Sequence, residues 1–323
     1  MISRRARAAP WDEPHNGSDG AQPIVVGVDG SPHSRLALKW AADEAEFHGS
    51  SLRILYAGSG RSKDVPAWYS SDSSGLSPGE AIIDDAVGLV ATRHPSVLAG
   101  GEVVEWSASL ALTMASRSAA LLVVGARGLG GFKELLLGSV SDQCLQYAHC
   151  PVAVVHSDSE DIATAPEPRI VVGIDGSLGS SRALQWALEE AAIRSASVEA
   201  MYVWQYPAVG SFVVPPAIGA GAVAQEVVEA ATDHAARFAP EVPFKALTSC
   251  NATVPTLLDA CHGTDLLVVG SRGHGRFQEA LLGSVSHQCA RHARCAVIVV
   301  RPPVGAAESA PADRVDQGAG QPA

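Results

Sequence analysis

Short uninterrupted apolar runs recur along the chain, each stopped by glycine or a polar turn. Ile24–Gly27, Leu52–Ala57, Ala119–Gly125 and Pro151–His156 are followed by Ile170–Gly173, Val198–Trp204, Asp265–Gly270 and Ala296–Arg301. Runs of this length, rich in β-branched residues, read as strands buried on both faces. Weaker third strands fall at Glu102–Trp106 and Phe244–Thr248, and helical spacing fills the intervals. It predicts helices over Ser34–His48 (stopped by Gly49), Glu80–Arg93 and Ser109–Ser118, and over Ser181–Ser195, Ala222–Phe238 and Thr256–His262, with a further helix after Ser139 and after Ser284. The segments Gly58–Gly79 and Gln205–Gly221 are rich in Pro, Ser and Gly and read as loops. Strand alternating with helix predicts a parallel sheet covered on both faces, an α/β fold.

The pattern occurs twice. Ile24-Val25-Val26-Gly27-Val28-Asp29-Gly30-Ser31 returns as Ile170-Val171-Val172-Gly173-Ile174-Asp175-Gly176-Ser177, with Asp29 and Asp175 146 residues apart (175 − 29). Gly125 and Gly270 are 145 apart (270 − 125), so a whole domain is repeated with one net residue of difference. The boundaries predicted are a polar tail at 1–22, a first domain at 23–156, a connector at 157–168 (SDSEDIATAPEP), a second domain at 169–301 and a tail rich in Ala, Gly and Pro at 302–323.

The most informative stretch is Gly125–Ser141, GARGLGGFKELLLGSVS, matched by Gly270–Ser286, GSRGHGRFQEALLGSVS. Both read Gly-x2-Gly-x9-Gly-Ser, placed after a strand and before a helix. Free N–H groups at a helix N-terminus, with the positive end of its dipole, hold anions, and glycines let the backbone approach phosphate oxygens. Ser139 and Ser284 add a hydroxyl or, in the simpler reading, cap the helix. Asp29 and Asp175 end the first strands, where an acidic side chain can accept hydrogen bonds from ribose hydroxyls or bond to its own turn. Arg127 and Lys133 in one copy, and Arg272 and Arg276 in the other, are the few cations near the loops. The Gly-x4-Gly-Lys-Ser/Thr of P-loop NTPases, the three-glycine dinucleotide fingerprint at the first strand and the Gly-x-Ser-x-Gly hydrolase elbow are all missing.

Composition narrows the function classes. A hydrophobic share of 47% and a charged share of 18% over 323 residues describe two globular domains. A net charge of -11 argues against nucleic acid as a partner. No apolar run is long enough to span a bilayer, and Ala8-Ala9-Pro10-Trp11-Asp12 follows Arg4, Arg5 and Arg7 where a signal peptide needs an apolar stretch, so a cytoplasmic protein is expected. The 6 cysteines form no disulfide framework. Cys144 and Cys289, and Cys150 and Cys295, are in register, as buried thiols would be. The spacing of His287, Cys289, His292 and Cys295 matches no standard zinc pattern, and no metal ligand is assigned.

The opening Ile-Val-Val-Gly-Val-Asp-Gly-Ser, the doubled Gly-x2-Gly-x9-Gly-Ser and Cys150-Pro151-Val152 together resemble the universal stress protein family, in the tandem form of its ATP-binding branch. The resemblance covers residues 23–156 and 169–301. It implies two tandem open-sheet domains, each a five-stranded parallel sheet of order 3-2-1-4-5, ATP in each domain, and pairing through the last strands, within one chain or between two copies. Carried over by position, adenine lies against Ala57 and Val203, and Asp29 and Asp175 face the ribose. Phosphates contact Gly125, Gly128, Gly138, Ser139 and Val140 in one domain and Gly270, Gly273, Gly283, Ser284 and Val285 in the other. Ala296 stands where the first copy has Pro151, and such departures leave room for unequal affinities.

With so few cations nearby, a triphosphate is expected to bring magnesium held by its own oxygens and water. No catalytic residue is assigned, because no second acid or lysine can be placed beside a γ-phosphate. The reading is an ATP-binding stress-response regulator acting on an unidentified protein partner. The competing readings are an interaction scaffold with vestigial sites and a slow ATPase or self-phosphorylating enzyme.

Overall fold

The structure, a computed structural model, describes residues 22–58, 76–129, 136–156, 168–205, 208–209, 212–213, 220–262, 264, 266–273 and 282–301. All but the last residue of the predicted tail at 1–22, all but the last of the connector at 157–168, the tail at 302–323, and Lys133 and Arg276 lie outside the described residues.

The first repeat runs β1 (Ile24–Gly27), α1 (Pro32–Phe47), β2 (Leu52–Ala57), α2 (Pro78–Arg93), β3 (Ala99–Val104), α3 (Ala108–Ala115), β4 (Leu121–Gly125), α4 (Ser139–Tyr147) and β5 (Val152–Val155). The second runs β6 (Arg169–Ile174), α5 (Leu178–Arg194), β7 (Ser197–Trp204), a two-stranded ribbon of β8 (Ala208–Val209) and β9 (Phe212–Val213), α6 (Ala220–Phe238), β10 (Phe244–Cys250), α7 (Thr253–Ala260), β11 (Leu266–Gly270), α8 (Ser284–His292) and β12 (Ala296–Val300).

Each repeat has the expected strand order, β3-β2-β1-β4-β5 and β10-β7-β6-β11-β12, with parallel pairing throughout. The repeats join within the chain. β5 and β12 pair antiparallel with Ala153 opposite Ile298, making one 10-stranded sheet.

Alternate strand residues sort to the two faces, as the pleat requires. Val26, Ile54, Val123 and Ala153 pack under α1 and α2, whereas Val25, Leu55, Leu122 and Val152 pack under α3 and α4. Each layer continues without a break into the second repeat, through Val172 and Ile298 on one face and Val171 and Val297 on the other. The boundary between repeats is therefore core, not a hinge.

Three local differences from the sequence reading have physical causes. β3 begins at Ala99, before the predicted Glu102, because Gly100-Gly101 carries no hydrophobic signal yet pairs in register with Arg53-Ile54. A Cβ at Gly101 would lie 2.2 Å from Ile83 Cγ2, so the glycine lets α2 settle onto the strand. α7 begins at Thr253, with Pro255 inside its first turn, where a missing N–H costs no helical bond. The ribbon β8–β9 forms within a segment whose Pro and Gly content reads as loop.

Candidate functional site

Strand order reverses between β1 and β4, which pair directly (Ile24 opposite Leu121), and in the same way between β6 and β11. In open α/β sheets the ligand crevice lies beyond the carboxyl ends of such strands. Asp29 and the Gly125 loop stand at that place in one repeat, and Asp175 and the Gly270 loop in the other.

Asp29 serves both elements. Its Oδ1 accepts the N–H of Ser31 at 2.9 Å, closing its own turn, and its Oδ2 accepts the N–H of Leu129 at 2.9 Å, fastening the glycine loop. Asp175 repeats the first contact, accepting from Ser177 N–H at 3.0 Å. Each carboxylate oxygen has two acceptor sites, so capacity for a ribose hydroxyl remains. The turn role weighed against the ligand role is thus present, and the loop contact is added to it.

The glycines of the motif are there for different reasons. A Cβ on Gly125 would lie 2.7 Å from the carbonyl oxygen of His33, and on Gly270 2.7 Å from the carbonyl carbon of Gly179, so the first glycine admits the start of the first helix of its repeat. A Cβ on Gly128 would lie 2.5 Å from Asp29 Oδ2, and on Gly273 2.1 Å from Asp175 Oδ2, so the second glycine admits the aspartate. Gly138 differs. Its φ is -76°, which any residue adopts, and the nearest atoms to an added Cβ stand at 3.5 Å. Gly283 has φ -73° with its closest such contact at 3.3 Å. The fold has little need of a glycine at Gly138, whereas at Gly283 the Ser271 carbonyl would have to give by a few tenths of an ångström; at both, an added side chain would stand at the mouth of a helix N-terminus.

That N-terminus is not closed by a side chain. Gly138 and Gly283 are the N-caps, and Ser139 and Ser284 are the first helical residues, so the capping alternative for these serines does not apply. The first intrahelical bond runs from Asp142 N–H to Gly138 O at 2.9 Å, which leaves the N–H groups of Ser139, Val140 and Ser141 ahead of it. The hydroxyl of Ser139 is exposed and Val140 is half-buried beside it. The second serine of the Gly-Ser-Val-Ser ending is structural. Ser141 Oγ donates to Gly125 O at 2.7 Å and Ser286 Oγ to Gly270 O at 2.6 Å, while Gly138 N–H and Gly283 N–H donate to Ala126 O and Ser271 O at 2.7 Å. These bonds lock the helix start against the end of its strand. The signal was present in the sequence, since the second serine recurs at the same spacing.

Ala57 ends β2 and Val203 is the last residue but one of β7, both half-buried beside the strand that leads to the aspartate. Of the residues whose spacing matched no zinc pattern, His287 has its Nε2 2.9 Å from Asp142 Oδ1 of the other repeat, and Cys289 is fully buried. Burial pushes the thiols of Cys144, Cys150 and Cys289 up to about 12, consistent with packing rather than reactivity.

The cations that sequence reasoning missed come from the other repeat. Arg127 shares a cleft with Arg291, His292 and Arg294 at the end of α8, and with His33 and His156. Burial and then the Arg127 guanidinium hold the His33 imidazole below its ordinary value, with Asp29 opposing them. Nothing in the linear spacing marks Arg291 or Arg294 as neighbours of the first glycine loop.

Backbone N–H groups, a serine hydroxyl and guanidinium groups fit phosphate oxygens, and a half-satisfied aspartate fits a ribose. Comparison with known proteins agrees with this architecture. The profile of the universal stress protein family matches residues 20–156 and again 168–301. The chain belongs to the universal stress protein family. A universal stress protein of Mycobacterium tuberculosis is 32% identical over 295 residues, covering 86% of this chain and 96% of its own. One from Mycolicibacterium smegmatis is 32% identical over 295 residues, covering 86% and 97%. Among solved structures, a universal stress protein from Archaeoglobus fulgidus aligns with a TM-score of 0.57 at 18% identity, covering 86% of this chain and 98% of that one. A putative universal stress protein from Pseudomonas aeruginosa aligns with a TM-score of 0.58 at 16% identity, covering 88% and 94%. These two share the fold. No helix among the described residues is long and apolar enough to cross a membrane.

Proposed function

We propose that this universal stress protein is an ATP-binding regulator with one nucleotide crevice in each repeat. In the first, phosphates contact Gly125, Gly128, Gly138, Ser139 and Val140, Asp29 faces the ribose and Ala57 the adenine. In the second, the corresponding residues are Gly270, Gly273, Gly283, Ser284 and Val285, with Asp175 and Val203. The observation that carries this reading is the cradle at Gly138, a glycine in ordinary backbone conformation with room for a side chain, standing before three N–H groups that precede the helix's first internal bond. A phosphate seated there supplies the acceptors that those N–H groups lack.

Binding rather than turnover is supported by how the nearby carboxylates are used. Asp29 accepts two backbone N–H groups, and Asp142, in the first turn of α4, pairs with His287. Neither is placed as a base for an attacking water. Magnesium arrives with the phosphates and is held by their oxygens and water. Nucleotide occupancy then changes the surface offered to a protein partner. A thermal-shift series with ATP, ADP, AMP and GTP tests the reading, since a ligand at a hundredfold excess over Kd stabilises the folded form by about 2.7 kcal/mol. No shift with any nucleotide favours the scaffold, and turnover at about 1 per second or faster favours an enzyme.

A further inference from the structure

The two repeats differ at one pair of equivalent places. Arg301, after β12, reaches the end of α4, where Nη1 donates to Ala148 O at 2.8 Å and Nη2 to Gln146 O at 2.6 Å. Its counterpart after β5 is His156, a shorter side chain, which faces the end of α8. Where Arg301 fills one half, the other half holds a cleft of about 220 Å³. At about 30 Å³ per water that is room for roughly seven waters, enough for a short phosphate chain.

The walls of the cleft changed together with its size. The chain leaves α4 through Gln146-Tyr147-Ala148-His149 and α8 through Arg291-His292-Ala293-Arg294. With Arg127, His33 and His156 the cleft is lined by 3 arginines and 3 histidines, and among the described residues no Asp or Glu lines it. Basic residues in a last helical turn also complement the helix dipole, but α4 has none there and is served by Arg301 instead. Convergent guanidinium groups repel one another unless an anion sits between them, and their planar forks suit phosphate oxygens. In a chain of net charge -11 such a concentration of positive side chains stands out as a binding feature.

We propose that this cleft is a phosphate subsite built by both repeats, with Arg127 from the first and Arg291 and Arg294 from the second gripping a phosphate chain. Two sources share that chemistry. The chain is the tail of a nucleotide seated on the adjoining glycine loop, which rests on the function proposed above, or it is a free polyphosphate, which does not. In the second repeat the corresponding place is taken by Arg301, bonded to the end of α4.

Calorimetric titration of the full chain with ATP, AMP and sodium tripolyphosphate, beside the Arg291→Gln/Arg294→Gln variant, separates these cases. An Arg117→Gln/Arg237→Gln variant removes the same charge elsewhere, and unfolding temperature without ligand reports folding. Expected for the Arg291/Arg294 variant is a loss of about tenfold or more for a phosphate chain, with AMP unchanged and the control variant behaving as wild type. If that loss falls on ATP, the ligand is a nucleotide tail; if on tripolyphosphate alone, it is a free chain. Tripolyphosphate binding that depends on these arginines in a protein ignoring all nucleotides sustains the subsite and refutes the nucleotide crevice. The subsite is overturned if the variant binds ATP and tripolyphosphate as wild type does. It is equally overturned if wild type ignores tripolyphosphate and holds ATP no tighter than AMP.

Discussion

His48 Nε2 lies 3.0 Å from Glu190 Oε2, across the boundary between the two repeats. Glu44 and Glu190 are equivalent positions, as are His48 and Arg194, so the four form a duplicated pair whose symmetry is broken by one histidine. Both carboxylates are buried, at 0% and 1% exposure. Arg194 contacts both and stacks on Trp40 and Phe47 at 5.9 and 5.2 Å, supplying the positive charge that a metal ion would otherwise bring. Two carboxylates facing one guanidinium are balanced only when His48 is protonated.

The hydrogen bond to Glu190 raises the His48 pKa above 6.5, against the opposing effect of burial. A raised folded-state value means the stabilisation is complete below the unfolded value and is lost as pH rises through the folded one. Unfolding temperature is therefore expected to fall as pH is raised from 6 upward (about the ordinary histidine range), and the His48→Gln variant to show a flatter profile. Equal slopes for the two proteins would contradict this.

Removing Arg194 leaves both buried carboxylates without their guanidinium. Arg194→Met is expected to cost about 3–5 kcal/mol in urea unfolding, whereas a surface pair such as Arg35 with Asp85 is expected to contribute under about 1 kcal/mol. Comparable costs for the two would refute the cluster's role in joining the repeats.

Gly49 and Ser195 end α1 and α5 at equivalent positions in the left-handed region, with φ of 59° and 53°. Glycine adopts that conformation without the strain a side chain brings. Ser195→Gly is expected to stabilise the chain by about 0.5–1 kcal/mol, measured by thermal or urea unfolding. Destabilisation would show that the Ser195 side chain has a compensating contact.

Gly128 lies against Asp29, so the two are expected to fail together. Gly128→Ala pushes the carboxylate off Leu129 N–H and is expected to destabilise the fold by about 1–3 kcal/mol. An unchanged unfolding temperature would mean that the loop yields freely. This substitution damages the fold before it reaches the ligand, so it is a poor probe of phosphate binding.

Excess chelator is expected to weaken ATP binding and leave AMP nearly untouched, because magnesium is held through the distal phosphates. Calorimetric titration with and without chelator reads this directly. An ATP affinity indifferent to chelation would contradict the expectation that magnesium comes with the triphosphate.

Strands, helices and the doubled loop were legible in the sequence because they depend on local periodicity and on a spacing that occurs twice. What was not legible depends on contacts between distant residues. The start of β3 is hidden by Gly100-Gly101, whose meaning appears only when Ile83 is laid over it. Gly128 reads only as a phosphate glycine, and that its missing side chain also admits Asp29 is seen only when the two are brought together. Nothing in the sequence sets Arg291 and Arg294 near the first glycine loop, to which the pairing of β12 with β5 carries them. The buried cluster of Glu44, His48, Glu190 and Arg194 is invisible along a single helix, where each member falls on an ordinary polar position.

The nucleotide crevices are tested most directly at Gly138 and Gly283, the glycines of the motif whose backbone conformation any residue adopts. Calorimetric titration with ATP should compare wild type with the Gly138→Val/Gly283→Val variant, whose unfolding temperature without ligand is expected to stay within a few degrees. Wild type is expected to bind ATP and the variant to lose it, since each valine occupies the space before the helix N–H groups. Undiminished ATP binding by the folded variant, or none by wild type at millimolar nucleotide, would contradict phosphate binding at these helix starts.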